Sequence, residues 1–222
     1  MIEIESFVDL HTHTRYPDLN NFPEKEIELA AKNGGYSEIL AMPNSEIVID
    51  SLENLNKAVL KDSKLNIKIH RTGSLTKNLE GKELVEYKEL IDHGVYIFSD
   101  DGKSLIDDDL ANEAFEKIAK LGGAIFQHCE KNCYSNPGDI APPNQTDSLI
   151  AINESEESEV LLRDIKLVEK YGTRYHAQHI SSKNCVNYLR EAKKDNLPIS
   201  CLLYTSDAAD EGLGVDLGGR RI

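Results

Sequence analysis

The stretch Phe7 to Arg15, F-V-D-L-H-T-H-T-R, restricts the possible folds more than any other part of the chain. A short apolar run from Ser6 to Leu10 has the length and the β-branched or aromatic content of a buried strand, and it leads into two histidines one residue apart. Side chains of a strand alternate between faces, so His11 and His13 point the same way and can put two imidazole nitrogens on one ion. The pattern predicts a metal site at the carboxyl end of a first strand. The plainer alternative is one histidine capping the strand and the other solvated, and only later stretches decide between the two.

Those stretches repeat one layout. Pro23 to Asn33 reads as a helix opened by proline and acids and closed by Gly34-Gly35, and Ser37 to Pro43 as a second short strand. A helix starting at Asp50 or Ser51 and running to Asp62 precedes a third strand, Leu65 to Thr72. A charged helix from Gly81 to His93 leads into a fourth strand, V-Y-I-F-S, and a helix capped by Asp108 or Asp109 leads into a fifth, Ala124 to His128. After a polar loop from Cys129 to about Ser158 come a helix Glu159 to Tyr171, a sixth strand T-R-Y-H-A-Q-H, a helix from Ser181 or Ser182 to Asp195, and the start of a seventh strand, Leu197 to Ser200. A loop that long inside a compact repeat is either functional or disordered.

Strands alternating with helices at intervals near thirty residues indicate βα units and a parallel sheet. Histidines or aspartates fall at the carboxyl ends of strands one, four, five and six. A closed barrel gathers its site from many strand ends, whereas an open doubly wound sheet concentrates it at one switch point. The expected class is therefore α/β, an incomplete (β/α)8 barrel of the TIM type, with about six units and part of a seventh strand.

Composition narrows the function. A net charge of -14 over 222 residues argues against a nucleic-acid partner, which calls for clustered lysine and arginine. No apolar run reaches about 18 residues, so no membrane span and a cytoplasmic location are expected. Cys129, Cys133, Cys185 and Cys201 form no Cys-x-x-Cys pair and read as reduced thiols.

The chemistry-bearing candidates are His11 and His13, Asp100 or Asp101 in F-S-D-D-G, His128 in Q-H-C-E, and His179 in H-I-S-S. Four imidazoles and one carboxylate suit a pair of borderline ions such as zinc, because one carboxylate can bridge both. Taken singly, the aspartates before Gly102 read as a turn and each later histidine as structural. Their recurrence at strand ends favours the metal reading. His70, His93 and His176 lack such a setting and are expected to be structural.

D-L-H-T-H-T-R-Y-P-D, A-M-P-N-S, F-S-D-D-G, Q-H-C-E and H-I-S-S, in this order over residues 6 to 200, resemble the dihydroorotases of the amidohydrolase superfamily in their bacterial class I form. The resemblance implies a zinc-dependent cyclic amide hydrolase interconverting N-carbamoyl-L-aspartate and dihydroorotate in pyrimidine synthesis. It implies that His11 and His13 hold one zinc, that His128 and His179 hold the other, and that Asp101 bridges them. His13, Arg15 and Asn44 match the positions that hold the substrate carboxylate, and the planar fork of arginine suits that task. R-Y-P-D and H-C-E-K depart from the commoner R-E-P-G and H-C-E-D without touching a proposed ligand. Hydantoinases and allantoinases of the superfamily usually bridge their metals with a carboxylated lysine on the fourth strand, where this chain has S-D-D-G.

The family's seventh-strand histidines and the last-strand aspartate that serves as general base have no match here. Cys201 to Ile222 instead resembles translated sequencing adapter, so residues 1–200 are expected to be barrel sequence and 201–222 a non-native, unstructured tail. Little or no turnover is therefore expected of this chain. Two other readings stand beside dihydroorotase: another cyclic amidohydrolase, or an inactive barrel scaffolding aspartate transcarbamoylase. A homodimer is a further expectation.

Overall fold

A computed structural model describes residues 6–14, 24–45, 47–131 and 154–203. Arg15, Cys133, most of the loop after His128 and residues 204–222 lie outside that set. The strands are β1 (Phe7–Thr12), β2 (Tyr36–Ala41), β3 (Lys68–Arg71), β4 (Ile97–Phe98), β5 (Ala124–His128), β6 (Arg174–Ile180) and β7 (Ile199–Leu203). The helices are α1 (Glu24–Asn33), α2 (Leu52–Asp62), α3 (Tyr87–Asp92), α4 (Asp108–Lys120), α5 (Glu154–Tyr171) and α6 (Lys183–Lys194). Every strand pair is parallel, in the orders β1-β2-β3 and β4-β5-β6-β7. A parallel bridge between Gly73 and Phe98 joins the two sheets, so the seven strands follow one another in chain order around part of a barrel.

That joint is close. Gly73 N donates to Ile97 O at 2.9 Å and Ser99 N donates to Gly73 O at 2.9 Å. A Cβ on residue 73 would lie 2.9 Å from two ring carbons of Phe98, so any side chain there must push back this fully buried ring. Phe98 in turn meets Tyr87 edge to face, with ring centroids 4.9 Å apart.

The helices form where capping and apolar spacing agree. Ser51 accepts from Asn54 N, Asp107 from Leu110 N, and Ser182 from Asn184 N and Cys185 N, each cap contributing about 1 kcal/mol. In α4 the buried residues Ala111, Ala114, Phe115 and Ile118 recur at helical spacing, and burying the last two contributes roughly 1.5–3 kcal/mol each. The main core runs from Ile49 on to Ile199, while Ala31, Ile39 and Ile67 make a smaller cluster. Strand β1 is less covered: Phe7, Val8 and Leu10 are each about half exposed. Among the described residues no helix is long and apolar enough to cross a membrane.

The expected helix from Gly81 to His93 forms only at its end, as α3. Residues 83–85 instead run back along 75–77, with Lys77 N donating to Glu83 O and Val85 N to Leu75 O. Tyr87 Oη also donates to Leu75 O at 2.8 Å. Burying Leu75, Val85 and Tyr87 together outweighs the helix propensity of a short charged stretch. Two smaller differences have local causes. Helix α5 starts five residues before the expected Glu159, where the acids of E-S-E-E-S favour a helix amino terminus. Strand β7 takes in Cys201–Leu203, across the expected boundary at residue 200.

Candidate metal centre

The carboxyl ends of four strands deliver the site. His11 is the fifth residue of β1 and His13 follows its last, Asp101 lies three residues past β4, His128 ends β5, and His179 is next to last in β6. The Asp101 carboxylate stands between them. Its Oδ2 is 3.7 Å from His11 Nε2 and 3.4 Å from His13 Nε2, while its Oδ1 is 3.3 Å from His179 Nε2. His128 Nδ1 is 3.0 Å from His179 Nε2. One carboxylate oxygen thus faces the first histidine pair and the other faces the second. Ligand atoms of His11, Asp101 and His179 all lie within 4.8 Å of one another, close enough to share an ion.

Strand geometry explains part of this convergence and irregularity explains the rest. Gln178 and His179 are neighbours, so a regular strand would send them to opposite faces. His179 has φ +32, and the β6–β7 register shifts between Ala177 and Ile180, which lets both side chains reach His11. A positive φ in a β-strand histidine is strained, and strain of this kind gathers at functional sites.

The charge states suit metal ligands. Burial is the largest influence on His11 and drives its pKa down to about 4, against the opposing charge of Asp101; neighbouring His179 and His13 push the same way as burial. Burial would raise Asp101, but the hydrogen bond from His179 and the potential of the imidazoles outweigh it and hold the carboxyl at about 2. At neutral pH His11 is therefore neutral and Asp101 ionised, the forms in which each binds a metal.

The far nitrogens of the rings are also held. His13 Nδ1 donates to Asn44 Oδ1 at 2.9 Å, and Asn44 Nδ2 donates to Asp101 Oδ2 at 3.3 Å. His128 Nε2 donates to Glu130 Oε2 at 2.8 Å, while Glu130 N donates to Ser104 Oγ. Such contacts leave the inward nitrogen as the lone pair and fix the ring plane. Asn44 was expected to hold substrate; here its amide links a histidine to the central carboxylate. Glu130 and Gln178 were not singled out in the sequence. The one trace of Glu130 is its place two residues after His128, and a buried glutamine one residue before His179 carries no signal of its own.

Other expectations sort themselves by position. Of the two aspartates, Asp100 faces away: its carboxylate accepts from Leu75 N, Thr76 N and Thr76 Oγ1 and ties the loop after β3 to β4. Arg15 lies outside the described residues. His70 pairs with Glu38 at the surface, and His93 Nδ1 donates to Glu89 O. His176 is buried against Phe126 and 2.8 Å from Ser200 Oγ. Cys129 and Cys201 are free thiols, and Cys129 Sγ lies 3.3 Å from Tyr175 Oη.

Comparison with known proteins places this arrangement among others. A family model described as Dihydro-orotase-like matches residues 2–185. A dihydroorotase of Fusobacterium nucleatum is 35% identical over 204 residues, covering 88% of this chain and 47% of its own length. One of Clostridium acetobutylicum is 34% identical over 194 residues, covering 85% and 45%. The chain thus spans about half the length of the curated relatives it matches. Among solved structures, an L-hydantoinase from Arthrobacter aurescens superposes with a TM-score of 0.69 at 20% identity, covering 89% of this chain and 46% of its own. A dihydroorotase from Saccharomyces cerevisiae, in complex with 5-fluoroorotic acid, gives 0.67 at 16% identity, covering 91% and 56%. At that identity these two structures share the barrel fold with this chain.

Proposed function

The chain belongs to the dihydroorotase-like family, and from that premise we propose that the protein is a dihydroorotase, a metal-dependent hydrolase of a cyclic amide. Its substrate pair would be N-carbamoyl-L-aspartate and dihydroorotate, in pyrimidine synthesis in the cytoplasm. The observation that carries the proposal is the two-sided Asp101 carboxylate, with His11 and His13 on one oxygen and the His179–His128 pair on the other.

Two zinc ions are proposed, which His11 and His13 would hold on one side and His128 and His179 on the other, with Asp101 between them. Bound there, the ions would supply Lewis acidity for attack of water on the ring carbonyl. The remaining work falls to the chain. Asp101 brings a negative charge, because its neighbours hold the carboxyl low enough to stay ionised at neutral pH. Asn44 and Glu130 hold the His13 and His128 rings in the ligating tautomer. Asn44 Nδ2 has two N–H groups, one on Asp101, and the second is proposed to meet the substrate carboxylate together with His13 and Arg15.

The 222-residue chain itself is proposed to turn over little. The same proposal takes residues 1–200 as barrel sequence and 201–222 as foreign to it, with Cys201–Leu203 nonetheless completing β7. Self-association, or association with aspartate transcarbamoylase, would belong to the whole protein. The test is zinc titration of the chain by calorimetry. Two ions per chain are expected, with binding lost in Asp101→Asn; absence of zinc uptake, or uptake indifferent to that substitution, refutes the reading. In a form with the relatives' full length, ring opening of hydantoin but not of dihydroorotate would refute the substrate assignment.

A further inference from the structure

We infer that Gln178 is the positioning residue for His11: its side-chain amide turns its carbonyl oxygen onto His11 Nδ1 when the site takes up metal. This rests on the metal reading given above. Gln178 is 1% exposed, and its amide faces three groups. Its nitrogen is 2.9 Å from His11 Nδ1 and 3.0 Å from Met42 Sδ, and its oxygen accepts from Ser99 Oγ at 3.2 Å.

In that orientation the amide donates to His11 Nδ1, so the neutral ring carries its proton on Nε2, the nitrogen that faces Asp101. A ligating Nε2 must be a lone pair, with the proton on Nδ1. His13 and His128 already meet that condition, because each gives its outer N–H to an oxygen, of Asn44 and Glu130. Of these three rings, His11 is the one whose outer nitrogen faces a nitrogen. A half-turn of the Gln178 amide removes the exception: the oxygen then accepts the Nδ1 proton, and the nitrogen donates to Ser99 Oγ. What is given up is a contact with a thioether, a weak acceptor, and the bond that the Ser99 hydroxyl donates to the Gln178 oxygen, Ser99 turning from donor to acceptor in that pair. Ser99 stays tied to the site in either orientation, since its Oγ also accepts from Asp101 N at 3.0 Å.

Two substitutions separate positioning from space filling. Methionine keeps the length and volume of glutamine without an oxygen, and glutamate keeps an acceptor whichever way it turns. If Gln178 positions His11, Gln178→Met weakens zinc binding about 10- to 100-fold, the range expected for losing such a partner. Gln178→Glu then stays within about threefold of the parent. A filler would give the reverse order, with methionine tolerated and a buried acid disruptive. Zinc affinity is read by competition with a chromogenic chelator, with circular dichroism checking that each variant is folded. In the parent chain the Gln178 side-chain amide resonances must also shift on adding zinc. A Gln178→Met affinity within twofold of the parent, the reverse order, or an unmoved Gln178 amide signal overturns the inference. If the parent takes up no zinc, the metal reading itself fails; if it does and Gln178→Met is silent, only the role of Gln178 fails.

Discussion

Replacing Gly73 with alanine tests the joint between the two sheets. The added Cβ would stand 2.9 Å from Cδ1 and Cε1 of Phe98 and 3.2 Å from Val95 Cγ1. Carbon atoms rest about 3.5–4.0 Å apart, so the ring must retreat by roughly 0.6–1 Å. It has little room, being fully buried with Tyr87 against it. Overpacking of this kind costs about 1–3 kcal/mol, while the stiffer unfolded chain returns about 0.4–1 kcal/mol. The net expectation is a loss of about 1–2 kcal/mol, a sizeable part of a domain stability of about 5–15 kcal/mol. Urea unfolding followed by circular dichroism measures it. Phe98→Leu in the same background should recover part of the loss, giving a coupling energy well beyond the roughly 0.3–0.5 kcal/mol of additive pairs. The two hydrogen bonds of Gly73 hold β4 just ahead of Asp101, so weaker zinc binding should accompany the loss. Gly73→Ala as stable as the parent, or a cycle that is simply additive, refutes the packing argument.

Three further outcomes are expected. Asp164 is fully buried and accepts from Arg163 Nε at 2.9 Å and from Tyr175 Oη at 2.8 Å, and Asp164→Leu should cost about 1–3 kcal/mol in urea unfolding by leaving the buried Tyr175 hydroxyl without its acceptor and the partly exposed Arg163 with only Ile106 O and Asp108; a loss below about 0.5 kcal/mol would contradict this. Burial, with smaller contributions from His11, His179 and Lys193, lowers the His176 pKa from 6.5 to about 4, so below the unfolded value the unfolded chain takes up a proton that the folded one refuses. Stability from this group is whole above about 6.5 and is lost as pH falls towards 4, by about 3 kcal/mol, and the parent minus His176→Gln difference should fall by that amount; a difference independent of pH would refute it. Glu130→Ala should weaken zinc binding about 10- to 100-fold in the chelator assay, because His128 loses the acceptor on Nε2, and an unchanged affinity would show that the ring is held by other means.

Much of the frame was written locally. Caps at Ser51 and Ser182 and the apolar run of β5 place α2, α6 and β5 to within a residue or so of the sequence reading, because each boundary depends on neighbours in the chain. The charged stretch before α3 failed for the opposite reason. Its backbone partners, Lys77 for Glu83 and Leu75 for Val85, lie about six and ten residues upstream and are not visible in its own pattern. The candidate site divides the same way. His11, Asp101, His128 and His179 could be gathered because each sits at a strand end, a position that periodicity reveals. The choice between Asp100 and Asp101 came from resemblance, and the geometry gives the reason: one accepts from Leu75 and Thr76, the other stands among the imidazoles. Gln178 depends on the bend at His179, and Glu130 on a turn back towards its neighbour two residues away, so neither had a periodic signature.

Strand β1 bears one of the proposed ligands and leads directly into a second, yet among the described residues it is laced to the barrel along one flank only, by β2. Its anchorage should then depend on what sits at its tip. With metal stripped away, the amides of Phe7–Thr12 should be the earliest barrel amides to trade hydrogen for deuterium, and loading should slow them more than those of β5 or β6. On this view the ions would act as rivets as well as reagents, and chelation would loosen the barrel from its first strand inward.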